Sequence, residues 1–322
     1  MSELLDAAAS VHDHVVELRR AIHREPELGL ELPRTQAKVL EALAGLGLDV
    51  TTGTATTSVV ADLVAGDGPT ILLRADMDAL PLTEDSGESF ASEVEGVMHA
   101  CGHDGHTAML LGAAKILSER RSELRGTVRF MFQPGEEGYH GARFMIDEGV
   151  LDGVDRCYAL HCTTDLPAGV LAARPGAMLA SADEFHVTVT GSGGHGSAPH
   201  ATVDPIPAAC AMVPAISTML AREIGTFHPA VVSVTHFEAG TTTNVIPETA
   251  FFEGTIRTFD EDTRATVHRR LEQITESIAE SHRCTCNTTV VPGYPPTINH
   301  ASEVADMAAV ADRVLGPDRY VD

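Results

Sequence analysis

No stretch of this chain approaches the ~18 consecutive apolar residues that a membrane helix needs, so no membrane partner is expected. Basic residues are scarce: 22 lysines and arginines stand against 46 aspartates and glutamates, a net charge of −24 with histidine neutral. A field of that sign repels phosphate backbones and argues against a nucleic-acid partner. Its ordinary consequence is solubility. Lysine occurs only as Lys38 and Lys115, and tryptophan is missing. Six cysteines, at 101, 157, 162, 210, 284 and 286, are scattered through the chain, which argues against a disulfide scaffold. The Cys284 and Cys286 pair reads as two ordinary thiols. The N-terminal MSELLDAAASVHDHVVELRR carries Glu3, Asp6 and Asp13 where a secretion signal needs a basic start and an apolar stretch. A soluble, cytoplasmic protein is expected.

The 322 residues are 43% hydrophobic, enough for a sizeable core, and their number suggests two domains. Apolar periodicity predicts helices over 3–24 and 34–46, the second stopping at Gly47. Strands and helices then alternate: strands 57–65 and 70–77, helix 105–121, strand 127–134, short helix 141–150, strand 156–162. Continuous apolar strands such as Ile71-Leu72-Leu73 suit a sheet covered on both faces. From about 180 the order becomes strand (184–190), helix (203–222), strands (230–238 and 249–258), helix (261–282), strand (284–291), with a final helix over 301–315. That β-α-β-β-α-β order suits a ferredoxin-like unit of two helices on a four-stranded antiparallel sheet. The expected class is α/β, with a smaller α+β domain at 180–290 inserted into a domain made of 1–179 and 291–322.

Sixteen histidines are present, and the densest group is MHACGHDGHT (98–107). There Cys101 and His103 stand two apart at the mouth of a predicted helix, whose N-terminus lowers a thiol's pKa. In FQPGEEG (132–138), Glu136 and Glu137 follow a strand; neighbouring side chains there point in different directions. One carboxylate can bind a metal while the next faces substrate as a general base. ALHC (159–162) ends a predicted strand with His161. LLRADMDALP (72–81) places Asp76 and Asp78 at a strand end, suited to orienting a ligand histidine. Cys, His, Glu and His together begin a site for two divalent ions, which can polarise a carbonyl while a carboxylate shuttles the proton. The chemistry that follows is metal-assisted hydrolysis of an amide.

The sequence resembles the M20 metallopeptidases, most closely their amidohydrolase branch of hippurate hydrolases, N-acyl-amino-acid deacylases and auxin-conjugate hydrolases. LRRAIHREPELGLE (18–31), LLRADMDALP, MHACGHDGHTAMLLGAA, FQPGEEG, ALHC, GGHGSAPH and NVIPE match in family order over nearly the whole chain. The resemblance implies a three-layer, zinc-exopeptidase-like catalytic domain with an inserted lid and dimerisation domain. It implies Cys101, His103, Glu137 and His161 as metal ligands, Cys101 bridging the two ions, Glu136 as general base and Asp78 supporting the site from behind. The metals open to such a set are zinc, manganese, cobalt and nickel.

In GSGGHGSAPH (191–200), His195 sits in a glycine-rich turn and can donate to the oxyanion of a tetrahedral intermediate. The resemblance gives it the same role, reaching the site from the partner subunit of a homodimer. Asn244 and Arg257 suit a substrate carboxylate, Arg257 as a bidentate clamp. The family continues beyond a helix like ADMAAVADRVLG to a further histidine ligand. The sequence stops at Asp322 without it, and His300 does not match, so the resemblance implies a chain shortened at this end. The expected substrate is an N-acyl amino acid or related conjugate. Alternatives are a dipeptidase or carboxypeptidase, or a metal- or ligand-binding protein without turnover.

Overall fold

The structure is a computed structural model and describes residues 2–322. The chain divides into two compact units, Met1–Leu171 with Val310–Arg319, and Ala172–Ala309 with Tyr320–Asp322.

The first unit contains helices α1 (Ser2–Arg24), α2 (Pro33–Leu43), α3 (His103–Glu119) and α4 (Gly141–Asp147). Its strands are β1 (Asp49–Thr52), β2 (Val59–Val64), β3 (Thr70–Asp76), β4 (Thr127–Gln133) and β5 (Arg156–Ala159), with β6 (Leu171–Ala172) at the boundary. The sheet order is β1-β2-β4-β3-β5. β4, β3 and β5 run parallel, while β2 joins β4 and β1 joins β2 antiparallel. Leu63, Phe130, Phe132 and Met77 pack on one face against Val39 and Leu43 of α2 and Leu110, Leu111 and Ala114 of α3. Leu72 and Met131 pack on the other face against Met145 of α4. Three layers result, each sheet face losing its apolar side chains from water. α1 lies over α3 at close range: a Cβ on Gly112 would stand 2.6 Å from a Val15 methyl.

The second unit contains β7 (Gly176–Leu179), β8 (Ala182–Thr190), β9 (Gly194–His195), α5 (Pro205–Glu223), β10 (Ala230–Ala239), β11 (Val245–Ile246), β12 (Thr249–Thr258), α6 (Glu261–Ser281), β13 (Thr285–Tyr294) and β14 (Thr297–Asn299). α7 (Ala301–Val314) crosses the boundary, and β15 (Tyr320–Val321) lies near the end of the chain. Four strands form an antiparallel sheet in the order β10-β12-β8-β13, the ferredoxin-like arrangement. Phe185, Val187 and Val189 of β8 alternate inward with Phe252 and Ile256 of β12, and meet Met212 and Ile216 of α5 and Val267 and Leu271 of α6. The opposite face is mixed, with Glu184, His186, Glu253 and Arg257 beside Phe251, Val231 and Val291. Strands β7 and β14 pair with each other, and by contact this unit begins at Ala172 rather than 180.

Several predicted ends move by a few residues, among them those of α2 and β5. α2 stops at Leu43, short of 46, because Ala44 turns to extended backbone. β5 stops at Ala159, so His161 stands on a loop beyond the strand.

Candidate metal centre

Because β3, β4 and β5 are parallel, their C-terminal ends release chain at one edge of the sheet, where sites of open α/β sheets gather. Asp76 ends β3, with Asp78 two residues on; Glu136 and Glu137 follow β4; His161 follows β5. His103 opens α3 from the same edge, after Gly102 in left-handed conformation at φ 85°. The loop carrying the glutamates is closed by Gly141, where any Cβ would stand 1.6 Å from the Pro134 carbonyl oxygen.

Two histidines are oriented by backbone carbonyls. His103 Nδ1 donates to the carbonyl of Asp78 at 2.8 Å. Its Nε2 then faces inward, 3.8 Å from Glu136 Oε2 and 3.9 Å from Glu137 Oε1. His161 Nδ1 donates to the carbonyl of Cys162 at 2.6 Å, which leaves Nε2 3.3 Å from Cys101 Sγ. Carbonyl partners of this kind fix both tautomer and ring direction of metal-binding histidines. Asp78 does the same for the carboxylates: its two oxygens accept the N–H groups of Glu136 and Glu137, each at 2.9 Å. The two glutamates are thereby held as a pair.

This arrangement accepts a cation. Cys101, His103 and His161 form one trio of donor atoms within 4.8 Å of one another, and His103, Glu136 and Glu137 form a second. Zinc bonded to nitrogen at ~2.0 Å and sulfur at ~2.3 Å needs separations of this order. Buried His103 Nε2 and Glu137 Oε1 have no hydrogen-bond partner among the described residues. Left so, each costs about 1–3 kcal/mol, a cost that a bound ion removes. Electrostatics points the same way. Burial opposes a proton on His103, yet its bonding to Asp78, the adjacent Cys101 sulfur and the charges of Asp76 and Asp78 hold its pKa up at about 11. A place that binds a proton so tightly is a place for positive charge. The Cys101 thiol is pushed down by the neighbouring His103, then by its hydrogen bond with His161; the histidines, more than the helix end, favour its thiolate. Burial, then the charge of Glu137, pushes Glu136 up.

Behind this layer lies a second. Asp76 binds His106 Nδ1 at 2.6 Å and Arg74 at 3.0 Å. Burial works against its charge, but these two partners hold its carboxyl below the usual range. On the other side of α3, Asp104 takes Arg19 and His23, both at 2.8 Å. Within LRRAIHREPELGLE, Glu27 receives the N–H and hydroxyl of Thr35 at 2.8 and 2.9 Å, and its carbonyl receives the N–H of Ala79 at 2.8 Å. Sequence reasoning gave Glu27 no role. Its only signal was membership of that motif.

In the second unit, β9 pairs with β11, setting His195 opposite Val245, and the Gly196 N–H donates to the Asn244 carbonyl at 2.8 Å. His195 and Asn244 thus share one ribbon. The Ser197 N–H reaches His195 Nδ1 at 3.2 Å, which leaves the proton on Nε2. Arg257 lies exposed on β12 and bonds its own strand at Thr255 and Ile256.

Residues 72–322 match the family model described as Peptidase family M20/M25/M40. The chain is 41% identical over 311 residues to thermostable carboxypeptidase 2 of Saccharolobus solfataricus, covering 95% of this chain and 79% of that protein. It is 42% identical over 292 residues to an N-acyl-L-amino acid amidohydrolase of Geobacillus stearothermophilus, covering 90% and 79%. A solved Bacillus subtilis structure, described as a dinuclear metal binding peptidase from the M20 family, is similar with a TM-score of 0.84 and 35% identity, covering 97% of this chain and 82% of that one. Similarity over this length, on a sheet edge built to hold cations, makes the chain a member of peptidase family M20/M25/M40, and with it a metal-dependent hydrolase of amide bonds.

Proposed function

We propose that this protein hydrolyses the amide bond of N-acyl amino acids or related conjugates. Cys101, His103, Glu137 and His161 hold a centre of two divalent ions in this reading, and Glu136 is the general base. The observation that carries it is the Asp78 carboxylate, which takes the N–H groups of both glutamates. One side chain can then serve a metal while its neighbour serves a proton. Bound there, divalent ions supply Lewis-acid polarisation of a carbonyl and lower the pKa of water. Glu136 takes the proton from water and delivers it to the leaving nitrogen. Burial and the neighbouring Glu137 raise its pKa toward the range such a shuttle needs. His195, with its proton on Nε2, is a donor suited to the developing oxyanion. Asn244 and Arg257 suit the substrate carboxylate.

The acyl-amino-acid reading is supported by the Geobacillus amidohydrolase and by 38% identity to an N-acetylcysteine deacetylase of Bacillus subtilis. A carboxypeptidase is the second reading, favoured by the Saccharolobus relative. Zinc, manganese, cobalt and nickel all suit the mixed donor set. We assign the ferredoxin-like unit as lid and homodimerisation domain, with His195 serving the partner's site, and place the enzyme in the cytoplasm. Six free thiols fit a reducing compartment.

Glu136→Gln tests the central role. The variant is expected to bind metal as the parent does while losing hydrolysis of a panel of N-acyl amino acids and blocked dipeptides. Unchanged turnover removes Glu136 from the mechanism, and metal without turnover in the parent across the panel favours a binding protein.

A further inference from the structure

We propose that His106 is a positioning residue that sets the direction of His161 through the Cys162 peptide. This rests on the reading of His161 as a metal ligand and gives that ligand its anchor.

His161 needs one. It stands two residues past the end of β5 and is exposed, so no strand ladder holds it. His106, by contrast, is buried one turn inside α3 and 3% exposed. Its Nδ1 donates to Asp76 Oδ1 at 2.6 Å, and its Nε2 accepts the Cys162 N–H at 2.9 Å. The carbonyl of the same Cys162 accepts His161 Nδ1 at 2.6 Å. A continuous series follows: Arg74, Asp76, His106, the Cys162 backbone, the His161 ring. The rings of His106 and His161 also meet edge to face, with centroids 4.8 Å apart. What reaches the far end is a choice of nitrogen, because a His161 ring held at Nδ1 presents Nε2 to Cys101.

His106 is not itself a ligand in this arrangement. Asp76, His103 and His106 lie close enough to hold an ion. Yet both ring nitrogens of His106 are engaged, one as donor and one as acceptor, and no lone pair is left. Asp76 in turn is held by Arg74, so the series ends in a charge pair on β3 rather than in solvent.

The test compares two amides of different reach. In His106→Gln, the side-chain carbonyl extends to where Nε2 stands and can accept the Cys162 N–H. In His106→Asn it falls one carbon short. Zn²⁺ affinity is measured by chelator competition on the whole chain, alongside the absorption spectrum of the Co²⁺ form, which reports the ligand set. Losing a partner behind a metal ligand typically weakens binding about 10- to 100-fold. His106→Asn is therefore expected to weaken one Zn²⁺ by that factor, spare the other, and alter the Co²⁺ spectrum. His106→Gln is expected to match the parent. Asparagine and glutamine variants that behave alike, whether both intact or both impaired, overturn the proposal, since only reach separates them. A parent that binds no Zn²⁺ fails earlier: it sinks the ligand reading of His161, and this proposal falls with it.

Discussion

Asp78→Asn separates the role of one carboxylate from the mere presence of a polar side chain. The change is nearly isosteric, yet an amide has one acceptor oxygen where the carboxylate has two. Asp78 serves two N–H groups at once, those of Glu136 and Glu137, at 2.9 Å each. In the variant one N–H keeps its oxygen and the other meets an NH₂ group. A hydrogen bond to a charged group contributes about 1.5–3 kcal/mol, and tenfold in an equilibrium or rate corresponds to about 1.4 kcal/mol. The expected loss is therefore about 10- to 100-fold. Where it falls depends on how the amide turns. If the Glu137 N–H is stranded, metal affinity declines; if the Glu136 N–H is, kcat declines at saturating metal. The assay is Zn²⁺ competition with a chelator, paired with amine release from an N-acyl amino acid at saturating Zn²⁺. Asp78→Ala, which removes both acceptors, is expected to impair both quantities. An Asp78→Asn enzyme with parental affinity and parental kcat would refute the argument that this carboxylate holds the two glutamates in place.

The ferredoxin-like unit has its own buried charge. Asp183 accepts Arg264 at 2.6 and 2.9 Å, His268 at 3.0 Å and the Gly293 N–H at 2.9 Å. Asp183→Ala removes the buried partner of Arg264, which keeps only Glu261 and the Gly293 carbonyl; it is expected to cost about 1.5–3 kcal/mol in urea unfolding, with Asp183→Leu/Arg264→Met recovering much of it. Burial raises the Asp183 carboxyl, but Arg264 and its other partners outweigh this and hold it below the ordinary range. The pair's contribution is thus present above the unfolded carboxyl pKa of ~3.9 and is lost as pH falls further. The stability gap between parent and Asp183→Ala should narrow in that window, and a constant gap would contradict it. Gly254→Ala is expected to lower the melting temperature markedly, because its Cβ would stand 1.9 Å from the Ser233 carbonyl and 2.8 Å from the Phe185 ring. An unchanged melt would mean that the sheet yields there.

Much of the fold was legible because its elements bury one face. β8 and β12 alternate strictly, and α1 and α6 run long with regular apolar spacing. β1 escaped notice because all four of its residues are exposed and no alternation marks it. β9 and β11, two residues each, are defined by pairing across about fifty positions rather than by composition. In the site, ligand types could be read from clusters such as Cys101 with His103. The role of Asp78 as a double acceptor could not, because it depends on where two distant strands end. His106 stood in the same cluster as His103, and spacing alone gives both the same claim. Only the partners of each ring nitrogen tell a candidate ligand from its support.

All four proposed ligands and the base lie in the unit formed mainly by Met1–Leu171, and none in the ferredoxin-like unit. Metal supply then acts on the two halves unequally. An ion that binds only the folded form adds about 2.7 kcal/mol at one hundred times its Kd. For a unit of this size that shifts melting by roughly 5–10 °C. A calorimetric scan with and without chelator should move the transition of the first unit and leave the other in place. In a metal-starved cell, the half that carries the chemistry would lose this stabilisation while the other half would not. Starvation would then lower the amount of enzyme, by exposing that half to proteolysis, as well as its activity.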